Sequence, residues 1–135
     1  MTRRSDCPIS NVLDHVGDKW SLLILRDLMF FDKNTYSELQ NSVERMATNI
    51  LSSRLERLEK DGLITKQTDA KDKRRKVYRV TRAGIDMLPI LLEMIAWSCK
   101  HEPETNTYPE FYAALQKGRE ELIHDLTMKL VANLE

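Results

Sequence analysis

YSELQNSVERMATNILSSRLERLEKD, from Tyr36 to Asp61, reads as a short helix, a turn and a longer helix. Ser37 stands three residues before Gln40, the spacing of a capping box, which predicts a helix opening at Ser37. The apolar period breaks around Val43 to Ala47. Thr48 is a candidate cap for a second helix running to about Asp61, which Gly62 closes from the C′ side. On that helix Leu51, Leu55 and Leu58 follow the spacing of a core stripe, flanked by Ile50. The opposite face carries Asn49, Ser53, Glu56 and Lys60, with Ser52 and Arg57 at its margins. Polar groups suited to base edges thus gather near the end of a helix that enters a major groove. An amphipathic surface helix with a solvated face has the same pattern, so the flanking sequence must decide.

Downstream of Gly62 the period changes from helical to extended. Leu63 to Thr68 and Lys76 to Thr81 are β-prone runs, separated by the charged stretch DAKDKRR, Asp69 to Arg75. A helix-turn-helix followed at once by a basic hairpin predicts a winged helix. Its wing can lie along a duplex backbone or enter the minor groove, where Lys and Arg meet the strongest negative potential. A solvated charged hairpin is the plainer reading, but the basic tip, the polar helix face and the order of elements agree on the first. The nucleic-acid candidates are therefore Thr48, Asn49, Ser52, Ser53, Arg54 and Arg57 on the helix. On the wing they are Lys71, Lys73, Arg74, Arg75 and Lys76. The expected partner is double-stranded DNA.

Upstream, Arg3 and Arg4 form a small basic arm, and Cys7-Pro8 has the form of N-cap and N1 of a first helix carrying Ile9, Val12, Leu13 and Val16. Asp18 is placed to cap a second, Lys19 to about Met29, so apolar that it should lie at the centre of the domain. Thr35-Tyr36 could form a very short strand. Beyond the wing, Thr81 can cap a helix through Trp97 that Pro89 kinks rather than ends. Glu102 to Thr107 reads as a linker. A last helix from Pro109 carries Phe111, Leu115, Leu122, Leu126 and Leu130. Two amphipathic helices after the wing exceed what a small core needs, which points to a partner, most simply a second copy.

Length and composition are consistent with this. A chain of 135 residues, 41% hydrophobic and 31% charged, is expected to form one soluble domain. Within it we expect N-terminal helices over 8–30, the helix-turn-helix over 36–62, the wing over 63–81 and C-terminal dimerisation helices over 82–135. No run approaches the roughly 18 apolar residues of a spanning helix, and no signal-peptide core follows Met1 to Arg4, so a cytoplasmic protein without membrane attachment is expected. Two cysteines make no disulfide framework. The formal net charge of zero divides into a basic region, Lys71 to Arg82, and an acidic one beyond Cys99.

Catalysis has little support. His15, His101 and His124 are scattered without metal-ligand spacing, and no nucleophile elbow or phosphate-cradling loop is present among four glycines. No catalytic residue, metal or cofactor is expected. A winged helix that binds protein instead of DNA would suit Glu56 and Glu59 beside the reading face, but not the basic wing.

CPISNVLDHVGDKWSLLILRDL (Cys7 to Leu28) resembles the opening signature of HxlR-type bacterial winged-helix regulators. So do YSEL (Tyr36 to Leu39), LSSRLERLEKDGLI (Leu51 to Ile64), VYRVTRAG (Val77 to Gly84) and LPILLEMIAW (Leu88 to Trp97). The resemblance spans roughly Cys7 to His101; the long basic wing is closer to the MarR type. It implies a mainly α winged helix with a small β-hairpin, dimerising through N- and C-terminal helices on an inverted-repeat operator. It also implies oxidant or electrophile sensing at Cys7, since several relatives use the equivalent cysteine. The chemistry agrees in direction: a thiol at a helix N-terminus meets the positive end of the peptide dipoles, whereas Cys99 lies near the other end of its helix. Cys7 packing as a small apolar residue, with a metabolite in an interface pocket as the signal, is the alternative.

Overall fold

The computed structural model describes residues 3–102, 104–105 and 109–134; Met1, Thr2, Glu135 and the linker residues Pro103 and Asn106 to Tyr108 lie outside them. Seven helices and one hairpin are described: α1 Pro8–Val16, α2 Ser21–Phe30, α3 Tyr36–Gln40, α4 Thr48–Lys60, β1 Ile64–Thr68, β2 Lys76–Val80, α5 Arg82–Ile85, α6 Leu88–His101 and α7 Pro109–Ala132. This is the mainly helical winged helix-turn-helix that the sequence predicts. The chain divides into two compact units, residues 1–84 and 85–135.

In the first unit, Cys7 and Pro8 take the expected N-cap and N1 places of α1. Asp18 caps α2 as expected, although the helix begins two residues later than Lys19. Its carboxylate accepts the Trp20 and Ser21 backbone N–H groups at 3.0 Å and the Ser21 hydroxyl at 2.6 Å. Ile24 and Leu25 are fully buried at the centre, while Leu22, Leu23 and Leu28 are half-buried.

Two caps differ from the sequence reading. α3 opens at Thr35, not Ser37: Thr35 Oγ1 accepts the Glu38 N–H and Glu38 Oε1 accepts the Thr35 N–H at 3.1 Å, a complete capping box. Its first residue has to be extended, and pairing with the wing makes it so. Thr35 bridges Val77, and the neighbouring Asn34 carbonyl accepts the Tyr78 N–H at 2.8 Å. α4 is entered from Ala47 without a side-chain cap, so Thr48 lies inside the helix.

Gly62 turns the chain out of α4 with φ +79°, a conformation costly for any residue with a Cβ. The wing follows, antiparallel in the register Ile64↔Val80 to Thr68↔Lys76. Leu51, Leu55, Leu58, Leu63, Ile64, Tyr78 and Val80 are buried from α4 and the wing root. Thr81 caps α5 as expected: its hydroxyl accepts the Gly84 N–H at 3.2 Å and donates to the Gly62 carbonyl at 2.6 Å. Gly84 packs so closely that a Cβ there would stand 2.3 Å from the Leu63 carbonyl oxygen.

Pro89 does more than kink. The helix stops after Ile85 and α6 restarts at Leu88 with Pro89 in its first turn. A continuous helix would set the proline ring against the Ile85 carbonyl, four residues back, and Pro has no N–H to offer it. In the second unit, Ile85, Leu88, Leu91, Leu92 and Leu115 are buried. The last helix is interrupted: Gly118 has non-helical backbone angles, breaking the stripe between Leu115 and Leu122.

Candidate nucleic-acid interface

The buried leucines of α4 set the rotation of the helix, and that rotation delivers Thr48, Asn49, Ser52 and Ser53 to its exposed side. Glu56 and Lys60 continue the same exposed side one and two turns on. Asn49, Ser52 and Ser53 thus occupy the first two turns, and Thr48, expected at the cap, joins them inside the helix.

The two arginines of α4 turn elsewhere. Arg54 Nε donates to Asp18 at 2.9 Å and Nη1 to the Ser53 hydroxyl at 3.1 Å, tying α4 to the cap of α2. Burial alone would raise the carboxyl pKa of Asp18, but hydrogen bonds from Ser21, Trp20 and Arg54 outweigh it and lower it. Arg57 Nη2 donates to the Asp14 carbonyl of α1, and its Nε lies 3.7 Å from Asp61. His15 Nδ1 meets that same Asp61 carboxylate at 2.9 Å. α1 therefore clamps the C-terminal end of α4.

Tyr36 did not stand out in the sequence. Its hydroxyl donates to the Thr48 carbonyl at 3.0 Å and lies 2.9 Å from Ser52 Oγ, linking the start of α3 to the first turns of α4. A second missed group holds the turn between these helices. Asp27, 1% exposed, accepts Arg26 Nε at 3.0 Å and Nη2 at 2.8 Å, and also accepts the buried Ser42 hydroxyl. Arg26 reaches on to Glu44 with bonds of 2.7 and 2.8 Å. The hydrogen bond to Arg26 lowers the Glu44 carboxyl pKa despite partial burial. An aspartate inside the apolar run SLLILRDLMF was the available signal, because a charge seldom enters a core without partners.

At the wing tip the acids staple the loop. Asp69 accepts the Lys71 N–H at 3.0 Å and the Arg75 guanidinium at 2.9 and 2.6 Å, and the first of these contributes most to its lowered pKa. Asp72 accepts the Arg74 N–H at 3.0 Å and its Nε at 3.2 Å. Lys76 Nζ donates to Thr68 at 2.8 Å. All five basic candidates, Lys71, Lys73, Arg74, Arg75 and Lys76, are exposed. An open cleft of about 1000 Å³ runs between this basic edge and the start of α3, lined by Tyr36, Ser37, Lys66, Arg74, Lys76 and neighbours.

Cys7 is exposed at the start of α1, its N–H donating to Ser5 Oγ at 3.2 Å, and Cys99 is half-buried. Arg4, which the sequence sets near Cys7, directs its guanidinium to Asp14 at 2.6 Å. Among the described residues no cluster of three or more His, Cys, Asp or Glu side chains is arranged to hold a metal. No helix there is long and apolar enough to cross a membrane.

Residues 15–106 match the model of the HxlR-like helix-turn-helix family. An HTH-type transcriptional regulator of Synechocystis is 33% identical over 88 residues, which cover 65% of this chain and 64% of that protein; the chain thus spans a little under two thirds of its length. The crystal structure of PA1607 superposes with a TM-score of 0.71 at 30% identity, covering 78% of this chain and 74% of the other. The redox regulator HypR in its oxidized form gives 0.60 at 28% identity, covering 71% and 98%.

Proposed function

The chain belongs to the HxlR-like helix-turn-helix family of transcriptional regulators, which are not enzymes, and from this premise we propose that it binds an inverted-repeat operator as a homodimer. The observation that carries the reading is the exposed polar start of α4 above its buried leucines, in one compact unit with a basic wing. Thr48, Asn49, Ser52 and Ser53 face base edges. Lys71, Lys73, Arg74, Arg75 and Lys76 follow the phosphate backbone. Arg54 and Arg57 act from the flank, as braces of α4 that reach adjacent phosphates.

Binding isotherms on duplex DNA at several salt concentrations test this. Lys73→Ala, Arg74→Ala and Arg75→Ala should each weaken binding to all sequences alike and reduce the salt slope by about one. Asn49→Ala or Ser53→Ala should instead relax preference at particular base pairs. Wild-type behaviour of all five variants would end the assignment.

Dimerisation is supported by apolar faces. α6 exposes Ile90, Met94 and Trp97 at successive turns, Trp97 being 60% exposed, and α1 exposes Ile9 at 72% and Leu13 at 50%. The neighbouring Leu91 is buried within its own chain, so the outward stripe of α6 lies one residue away from its buried one. Two copies joined through these helices would present their reading helices about 34–36 Å apart, one turn of duplex. Trp97→Asp should give monomers by light scattering at micromolar concentration and lose operator affinity. A wild-type monomer with full operator affinity would refute the dimer.

For the signal we infer oxidation or alkylation of Cys7, supported by its exposure at the head of α1 and by the likeness to a redox regulator. Cys7→Ser should keep operator binding after peroxide or quinone treatment that releases the wild type. Equal loss in both proteins, or in neither, would leave a metabolite as the effector.

A further inference from the structure

We propose that Tyr36 fixes the hydrogen-bonding polarity of Ser52, making Ser52 an acceptor-only reader of base edges. This rests on the assignment of α4 as the reading helix. The Tyr36 hydroxyl carries a single proton. The Thr48 carbonyl, 3.0 Å away, can only accept, so the proton lies on that bond. The phenolic oxygen is then left with lone pairs toward Ser52 Oγ, 2.9 Å away, and Ser52 must donate the proton of the second bond. Capping-box hydrogen bonds and the bridge from Thr35 to Val77 hold α3 at its first turn, so the tyrosine reaches α4 from a fixed base.

Ser52 is exposed, and what it presents outward is lone pairs alone. Phosphate oxygens, guanine N7 and O6, and thymine O4 are themselves acceptors and offer it nothing. The partners that remain in the major groove are the amino groups of adenine N6 and cytosine N4. At one place in the groove a purine shows an amino group in adenine and a carbonyl in guanine; a pyrimidine shows an amino group in cytosine and a carbonyl in thymine. Ser52 therefore selects adenine over guanine, or cytosine over thymine, at a single base pair. Tyr36 is the positioning residue that sets this choice without touching DNA.

Selection of duplexes from a random pool by wild type, Ser52→Ala and Tyr36→Phe tests the relay. Ser52→Ala marks the base pair concerned. There the wild type should prefer the amino-bearing base about fivefold, the lower end for base-edge hydrogen bonds. Tyr36→Phe keeps the ring and removes the oxygen, freeing the serine proton; preference at that pair should vanish or pass to guanine or thymine, with every other pair unchanged. The proposal is overturned if Tyr36→Phe keeps the wild-type preference at that pair, or weakens all pairs equally. It is likewise overturned if the wild type reads guanine or thymine there, or if Ser52→Ala alters no pair of a specific operator. Selection of no sequence at all by the wild type would remove the recognition role of α4 itself, and the relay with it.

Discussion

Asp27→Ala should destabilise the first unit by about 3 kcal/mol, lowering its thermal midpoint by roughly 15 °C. The carboxylate is enclosed and serves two elements at once: Arg26 beside it on α2 and Ser42 in the turn before α4. Its removal leaves the Ser42 hydroxyl, 3% exposed, buried without its acceptor. Arg26 keeps Glu44, which holds the loss near the lower end for a broken buried ion pair. Asp27→Asn, with the same shape and one oxygen still able to accept, should lose less than half as much. Equal losses in the two variants would mean that the charge alone matters here, and not the packing or the acceptor oxygen that asparagine retains. The network also sets an acid limit. The folded-state pKa of Glu44 lies below its unfolded value, so its contribution is fully present at neutral pH and is lost as pH falls through the folded pKa. A denaturation midpoint that falls on acidification in wild type, and falls less in Glu44→Gln, is the expected result.

This network also marks where a linear reading stops. Leu51, Leu55 and Leu58 could be set inside from their spacing alone, and the hairpin from its alternation, because helices and strands repeat and the repeat is visible in one dimension. Cys7-Pro8, Asp18, Gly62 and Thr81 were legible too, since helix ends draw on a short list of residues. The start of α3 was not. Ser-x-x-Gln and Thr-x-x-Glu have the same spacing, and only the pairing of Thr35 with Val77, 42 positions on, decides between them. Arg54 and Arg57 posed the same difficulty. Their charge suits a phosphate, but Asp18 and the Asp14 carbonyl lie within reach only once α1 and α2 have packed on α4. Tyr36 resembled any half-buried aromatic until the turn brought its hydroxyl to Thr48 and Ser52. Contacts between segments far apart in sequence leave no periodic trace, and most of what tunes the candidate site is of that kind.

Leu51→Ala should cost about 3 kcal/mol in stability, while Ser53→Ala, two residues along the same helix, should cost almost none. Leu51 is fully buried, and the atoms removed leave a cavity beneath the first two turns of α4, where neighbouring side chains collapse only partly. Ser53 is exposed, and its hydroxyl accepts the Arg54 guanidinium, which keeps its bond to Asp18. In operator binding the order should reverse. At a temperature where both variants remain folded, Leu51→Ala should keep its base preference and lose affinity only through the fraction unfolded. Ser53→Ala should relax preference at one base pair with an unchanged melting curve. Thermal denaturation of the two variants beside their selected sequences makes the comparison. If Leu51→Ala changed base preference as strongly as Ser53→Ala, the two faces of α4 would not be separable, and the core stripe would have to be counted among the determinants of specificity.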